Sequence, residues 1–168
     1  MAIRSAKITI TLLSVVYAAV VLTTFTADRL VALSFRPVFI TPTLDQRLSM
    51  VELAGKLDPL DGEIPFRKFF ILQEIRVSER RRSPSRAELH ALRDAIRLRQ
   101  LWPRYQLYYG LLLERMSPSP NIMTRQKILS QLKRASDLKP YSSLYRSKYL
   151  DYLEKYGDQD TFPGEHAI

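Results

Sequence analysis

The side chains best suited to recognition chemistry in this chain are tyrosines and arginines set at helical spacing. Arg104, Tyr105 and Tyr108 stand close together, with Tyr109 beside them. Tyr145, Tyr149, Tyr152 and Tyr156 recur every three or four residues, which lines them along one face of a helix. A stripe of this kind packs helices against each other. Where its hydroxyls instead line a groove beside arginine, they supply hydrogen bonds, ring surface and cation–π attraction suited to peptides or sugars. Arg104, Tyr105, Tyr108 and Lys148 are the expected exposed, partner-binding members.

A second basic group lies upstream. Nine arginines fall between positions 76 and 104 against Glu79, Glu88 and Asp94, a local charge of +6 in a chain of net charge +9. Arg80, Arg81 and Arg82 are its densest point, and Ser83-Pro84-Ser85 follows them. The block suits an acidic protein surface, anionic lipid or an acidic polysaccharide. It reads equally as a solvated helix face with an arginine-rich loop. Nucleic-acid binders interleave aromatics with their basic runs, and no aromatic occurs from position 71 to 101, so nucleic acid is not the expected partner.

No catalytic residue, cofactor or metal site is expected. His90 and His166 are far apart and there is no cysteine, so no ligand cluster stands out. The phosphate loop, the H-E-x-x-H helix and the G-x-S-x-G elbow are all missing. Asp158, Asp160 and Glu165 lack the loop spacing of a calcium site.

The element that positions everything else comes first in the chain. Residues 8–27 form a 20-residue run without a charge, preceded by Arg4 and Lys7 and followed by Asp28 and Arg29. A helix of that length rises about 30 Å, the hydrocarbon thickness of a bilayer. Cleavage after Ala27 would put Phe25 three residues before the cut, where a small residue is needed, so an uncleaved anchor is expected. Its helix is expected to reach residue 35. Lysine and arginine are nearly balanced across the span: Arg4 and Lys7 precede it, and Arg29, Arg36 and Arg47 follow. The short basic tail, residues 1–7, favours a cytoplasmic N-terminus and an exported domain. The expected setting is a bacterial inner membrane, crossed once, with the domain in the periplasm.

Behind the anchor the chain reads as all-α. Glycine is scarce, at 5 residues, while leucine, arginine and glutamate are common. Residues 36–42 form a proline-containing linker and 43–157 a helical domain of about six helices; 158–168 is expected to be a mobile tail. Thr43 with Gln46 and Ser85 with Glu88 fit capping boxes, and Asn121 fits an N-cap. Asp58-Pro59, Trp102-Pro103 and Lys139-Pro140 end alternate helices and start the next ones.

One theme recurs: Ala54, Ala95 and Ala135 are 41 and 40 residues apart, and each precedes a leucine by three positions and then a proline. A small residue lets two helices approach closely, and a period near 40 with such punctuation marks a stack of helical hairpins. Residues 128–158 resemble the second helix of one tetratricopeptide (TPR) unit and the first helix of the next. Ala135 and Pro140 take the small-residue and proline positions of that motif. Tyr149, Leu150 and Leu153 take its packing positions, and Gly157 its turn. The anchor, the linker and the hairpin at residues 95–111 also resemble small membrane proteins encoded with bacterial exopolysaccharide synthesis and export systems. These resemblances imply a non-enzymatic adaptor or scaffold that holds a protein partner in an envelope complex. The alternatives are a tethered basic domain that binds anionic lipid or nucleic acid, and an accessory subunit of a pilus, secretion or other permanent complex.

Overall fold

The computed structural model describes residues 2–35 and 42–156. Among them are seven helices and no strand: α1 (Ala2–Phe35), α2 (Leu44–Leu57), α3 (Glu63–Ser78), α4 (Arg86–Leu98), α5 (Pro103–Met116), α6 (Ile122–Leu138) and α7 (Ser143–Tyr156). The all-α expectation is met, with one long N-terminal helix and six behind it. Arg36, Pro37, Gly157 and the tail at 158–168 lie outside the described residues.

Helix α1 has two halves with different surroundings. Its stretch Thr11–Phe35 is long and apolar enough to cross a membrane, and between Thr11 and Thr26 only Thr23 is even half-buried. Thr23 and Thr26 donate their hydroxyls to the carbonyls of Val20 and Leu22 at 2.9 and 2.7 Å, which keeps these polar groups satisfied within the helix. From Ala27 onward the helix is part of a core. Ala27 joins Val51, Ala54, Ile64 and Ile71 of α2 and α3, with Leu30, Val31 and Phe35 packed around them.

Local signals set the starts of the following helices. Both capping boxes form: Thr43 with Gln46 opens α2, and Ser85 with Glu88 opens α4. Asn121 accepts from the Thr124 N–H to open α6, and Pro103 stands in the first turn of α5. Each such side-chain cap is worth about 1 kcal/mol. Glu88 is fully buried and also accepts from Arg76 Nε at 3.1 Å, so one carboxylate starts α4 and ties it to the end of α3.

The helices alternate in direction. Phe35 at the end of α1 lies against the Arg47 guanidinium near the start of α2, 5.0 Å from its ring centre. Arg47 pairs with Glu74 at 2.5 Å and Glu52 with Lys68 at 2.6 Å, which runs α2 and α3 antiparallel. Arg76 to Glu88 (3.1 Å) does the same for α3 and α4, Arg125 over the Tyr156 ring (5.3 Å) for α6 and α7, and the pair Glu63–Arg104 joins the starts of α3 and α5, which therefore run in one direction. Among the described residues, substantial helix–helix contact joins only sequence neighbours. The result is a quasi-linear stack.

The repeated theme has a repeated geometry. Ala54, Ala95 and Ala135 are each fully buried, and so are Val51, Leu92 and Leu132 three positions before them. The residues four positions after the alanines end α2, α4 and α6 in nearly one conformation: Asp58 at φ −130, ψ 83, Arg99 at −136, 74 and Lys139 at −142, 65.

Candidate functional site

Alternate helices of the stack, α3, α5 and α7, run in the same direction and border a cleft of about 300 Å³. Its charged end is built at the start of α3. The Asp61-Gly62 turn leads into that helix, and the Asp61 carboxylate accepts from the Glu63 N–H at 3.0 Å. Gly62 is needed there for close approach: a Cβ would stand 2.8 Å from Arg99 Cγ and 3.2 Å from Leu98 Cβ. Arg99 in turn donates to Asp61 at 2.5 Å.

Glu63 is the hub of the cleft. It accepts from Arg67 Nε, one turn on, at 2.8 Å, from the Tyr105 hydroxyl at 2.9 Å, and from Arg104. Two guanidinium groups on one carboxylate leave this end with a charge of +1. Arg104 is held between rings, 4.7 Å from Trp102 and 4.8 Å from Phe66, and its buried Nε has no partner. Arg67 rests on Phe35 at 4.9 Å, so α1 also supports the site.

The walls are aromatic and apolar. Phe66, Phe70 and Tyr108 meet edge to face, at 5.0 Å for Phe66–Phe70 and 5.3 Å for Phe70–Tyr108, a favoured arrangement of ring quadrupoles. Leu107, Leu144 and Tyr145 complete them. Burial pushes the Tyr145 hydroxyl above its ordinary pKa, with Arg104 opposing, so it stays protonated as a hydrogen-bond donor at neutral pH. A cationic end beside an aromatic trough suits an extended segment carrying a carboxylate and an apolar or aromatic side chain.

The expected site residues are only partly brought together. Arg104 and Tyr108 line the cleft. Tyr105 does not: it is fully buried beneath, where Phe66 covers its ring at 4.4 Å and Glu63 takes its hydroxyl. That corrects the expectation of an exposed Tyr105. Lys148 pairs with Asp151 at 3.2 Å on α7 and is not a lining residue. Arg80, Arg81 and Arg82 are exposed at the far end of α3, about 20 Å of helix from Phe66. No family model matches the chain, and no curated protein matches it.

The arginine block is largely engaged within the stack. Arg76, Arg81, Arg97, Arg99 and Arg104 are paired with carboxylates, and Arg93 donates to Tyr109. Arg80, Arg82 and Arg86 have no ion-pair partner among the described residues. In the tyrosine stripe, Tyr152 is buried and Tyr145, Tyr149 and Tyr156 pack against the core, so packing is its main use. Glu63 and Arg67 were missed as site residues by sequence reasoning. Their i, i+4 spacing, and the 41-residue offset from Glu63 to Arg104, were the signals available.

Proposed function

We propose that this protein is a non-enzymatic, membrane-anchored adaptor with a TPR-like helical domain, whose cleft holds an extended segment of a partner protein in an envelope assembly. The observation that carries this reading is the cleft between α3, α5 and α7, with its aromatic walls and its arginine end. The anchor fixes location, and binding alone is the mechanism. Polysaccharide synthesis or export in a bacterial inner membrane is the first process to test. In this reading the N-terminus is cytoplasmic and the domain periplasmic.

A second reading is favoured by Arg80, Arg82 and Arg86, which stand exposed and unpaired among the described residues. It makes the protein a tethered basic domain that binds an anionic polymer or surface. Salt separates the two, because binding by phosphate or carboxylate contacts to an arginine loop falls steeply with ionic strength. The full-length tagged protein, purified in mild detergent with nuclease and a high-salt wash, is expected to retain a stoichiometric envelope protein. Tyr108→Ala with Tyr145→Ala is expected to release it. Retention by that double variant, or loss of all partners at high salt, would overturn the adaptor reading.

A further inference from the structure

The three turns that follow α2, α4 and α6 share a feature that packing does not explain. Six positions after each repeated alanine, the chain presents a large apolar or aromatic side chain to the outside: Leu60 is 78% exposed, Leu101 72% and Tyr141 101%. Trp102, next to Leu101, is 40% exposed. The three helices end in nearly one conformation and run in one direction, so these side chains lie along one edge of the stack.

That edge is also where α1 leaves. Helix α1 runs opposite to α2, so its exposed half emerges at the end where α2 stops. From Thr11 onward, Ala27 is the first fully buried residue. The twenty residues before it rise about 30 Å, one hydrocarbon thickness. If α1 spans a bilayer, the headgroup layer on the domain's side falls level with the turns.

We propose that this turn edge lies on the bilayer that α1 crosses, with Leu60, Leu101, Trp102 and Tyr141 seated in the headgroup layer. Tryptophan and tyrosine favour that depth, since each joins an apolar ring to a polar group. Lys56 and Lys139 stand exposed near Leu60 and Tyr141, which suits anionic headgroups. A single helix would leave the domain free to swing; three further contacts in a row fix its tilt. The cleft then opens just above the headgroups, within reach of the juxtamembrane segment of another membrane protein. The arginine loop at 80–82 is turned away from this surface. The inference rests on reading α1 as a membrane span.

Trp102 is the only tryptophan, so its fluorescence reports this edge alone. The full chain is placed in nanodiscs of phosphatidylethanolamine and phosphatidylglycerol containing lipid spin-labelled either just below the headgroup or deep in the acyl chain. A second variant, Trp102→Phe with Tyr17→Trp, reports the middle of α1. Trp102 is expected to be quenched about twofold more by the shallow label than by the deep one, and the Tyr17→Trp reporter in the reverse order. Leu60→Ser, Leu101→Ser and Tyr141→Ser together are expected to remove most of the Trp102 quenching. If the α1 reporter is quenched by the deep label while Trp102 escapes both, the edge proposal fails and the span stands. Stronger deep than shallow quenching of Trp102 also overturns the headgroup placement. If neither reporter is quenched, the span itself fails and the proposal goes with it.

Discussion

Glu63 on α3 is ion-paired with Arg104 on α5, 41 residues further along the chain. Glu114 on α5 and Lys155 on α7 repeat that separation, at 2.9 Å. Each pair joins one layer of alternate helices to the next, so the ion pairs follow the repeat as the buried alanines do. The first pair is the more consequential, because Glu63 also satisfies Arg67 and the Tyr105 hydroxyl. Glu63→Ala strands two guanidinium groups and a buried hydroxyl at once. Because both arginines remain partly in contact with solvent, the loss is expected to be about 2 kcal/mol, below the range for fully buried pairs. Urea titration of the detergent-solubilised full chain would measure it.

Two buried tyrosines are expected to respond oppositely to loss of their hydroxyls. Tyr105 donates to a carboxylate, so Tyr105→Phe should destabilise by about 1–2 kcal/mol. Tyr152 is buried with its hydroxyl unpartnered. Tyr152→Phe removes a polar atom that gains nothing in the fold, and should stabilise by roughly 1 kcal/mol. Parallel thermal melts of the two variants decide the signs.

The same two hydroxyls predict alkaline sensitivity. Burial, aided at Tyr105 by Glu63 and at Tyr152 by Tyr156 and Glu114, pushes both up from 10.0 to about 12. The unfolded chain therefore releases these protons first as pH rises. Neither shift affects stability below about pH 10, and both lower it as pH climbs from about 10 through about 12. Lys155 adds to the loss, since its hydrogen bond to Glu114 raises it from 10.5 to about 12. Urea midpoints between pH 8 and 12 should fall, and the fall should be shallower in Tyr105→Phe and in Tyr152→Phe.

Much of the frame was legible because it rests on local rules. Thr43, Ser85 and Asn121 announce helix starts through hydrogen bonds that span three residues, and Ala54, Ala95 and Ala135 announce close helix approach through their size and period. The cleft was only half legible. Tyr105 and Tyr108 have similar spacing and identical chemistry, yet Phe66 on another helix covers one and leaves the other at the rim. Arg67 supports the cleft by resting on Phe35, which closes a separation of thirty-two positions that no local pattern encodes. In the sequence, Asp28 and Arg29 mark the end of the apolar run of α1 and so hide the packing role of Ala27 to Phe35.

Arg80 occupies a position where glycine is favoured. The end of α3 is closed by two backbone hydrogen bonds, from Arg80 N–H to the Val77 carbonyl and from Arg81 N–H to the Arg76 carbonyl, both at 3.0 Å. This closure puts Arg80 in the left-handed region, at φ 55. A side chain with a Cβ loses about 1 kcal/mol there relative to glycine. Arg80→Gly should raise the thermal midpoint, and Arg80→Val should lower it, because a β-branched side chain tolerates this conformation least. A drop on glycine substitution would mean that the exposed guanidinium stabilises the fold through a contact the geometry does not contain.

Gly110 and Leu132 should be coupled. A Cβ at Gly110 would come within 2.9 Å of Leu132 Cδ2 and 3.1 Å of its Cγ, so α5 and α6 approach closely only because this position has no side chain. Leu132 is itself almost completely buried, three positions before Ala135. Gly110→Ala gains about 1 kcal/mol of helix propensity but must displace a packed leucine, at a typical cost of about 1–3 kcal/mol. The net effect should be destabilising. Leu132→Ala removes the obstruction and leaves a void, with a loss of about 3 kcal/mol. In the double variant the methyl introduced by Gly110→Ala enters that void while the propensity gain remains. The double variant should therefore be more stable than Leu132→Ala alone, giving a favourable coupling of about 1–2 kcal/mol in a double-mutant cycle. Simple additivity of the two losses would mean that α5 and α6 can move apart at little cost, and that the close approach at Gly110 does not hold this layer of the stack.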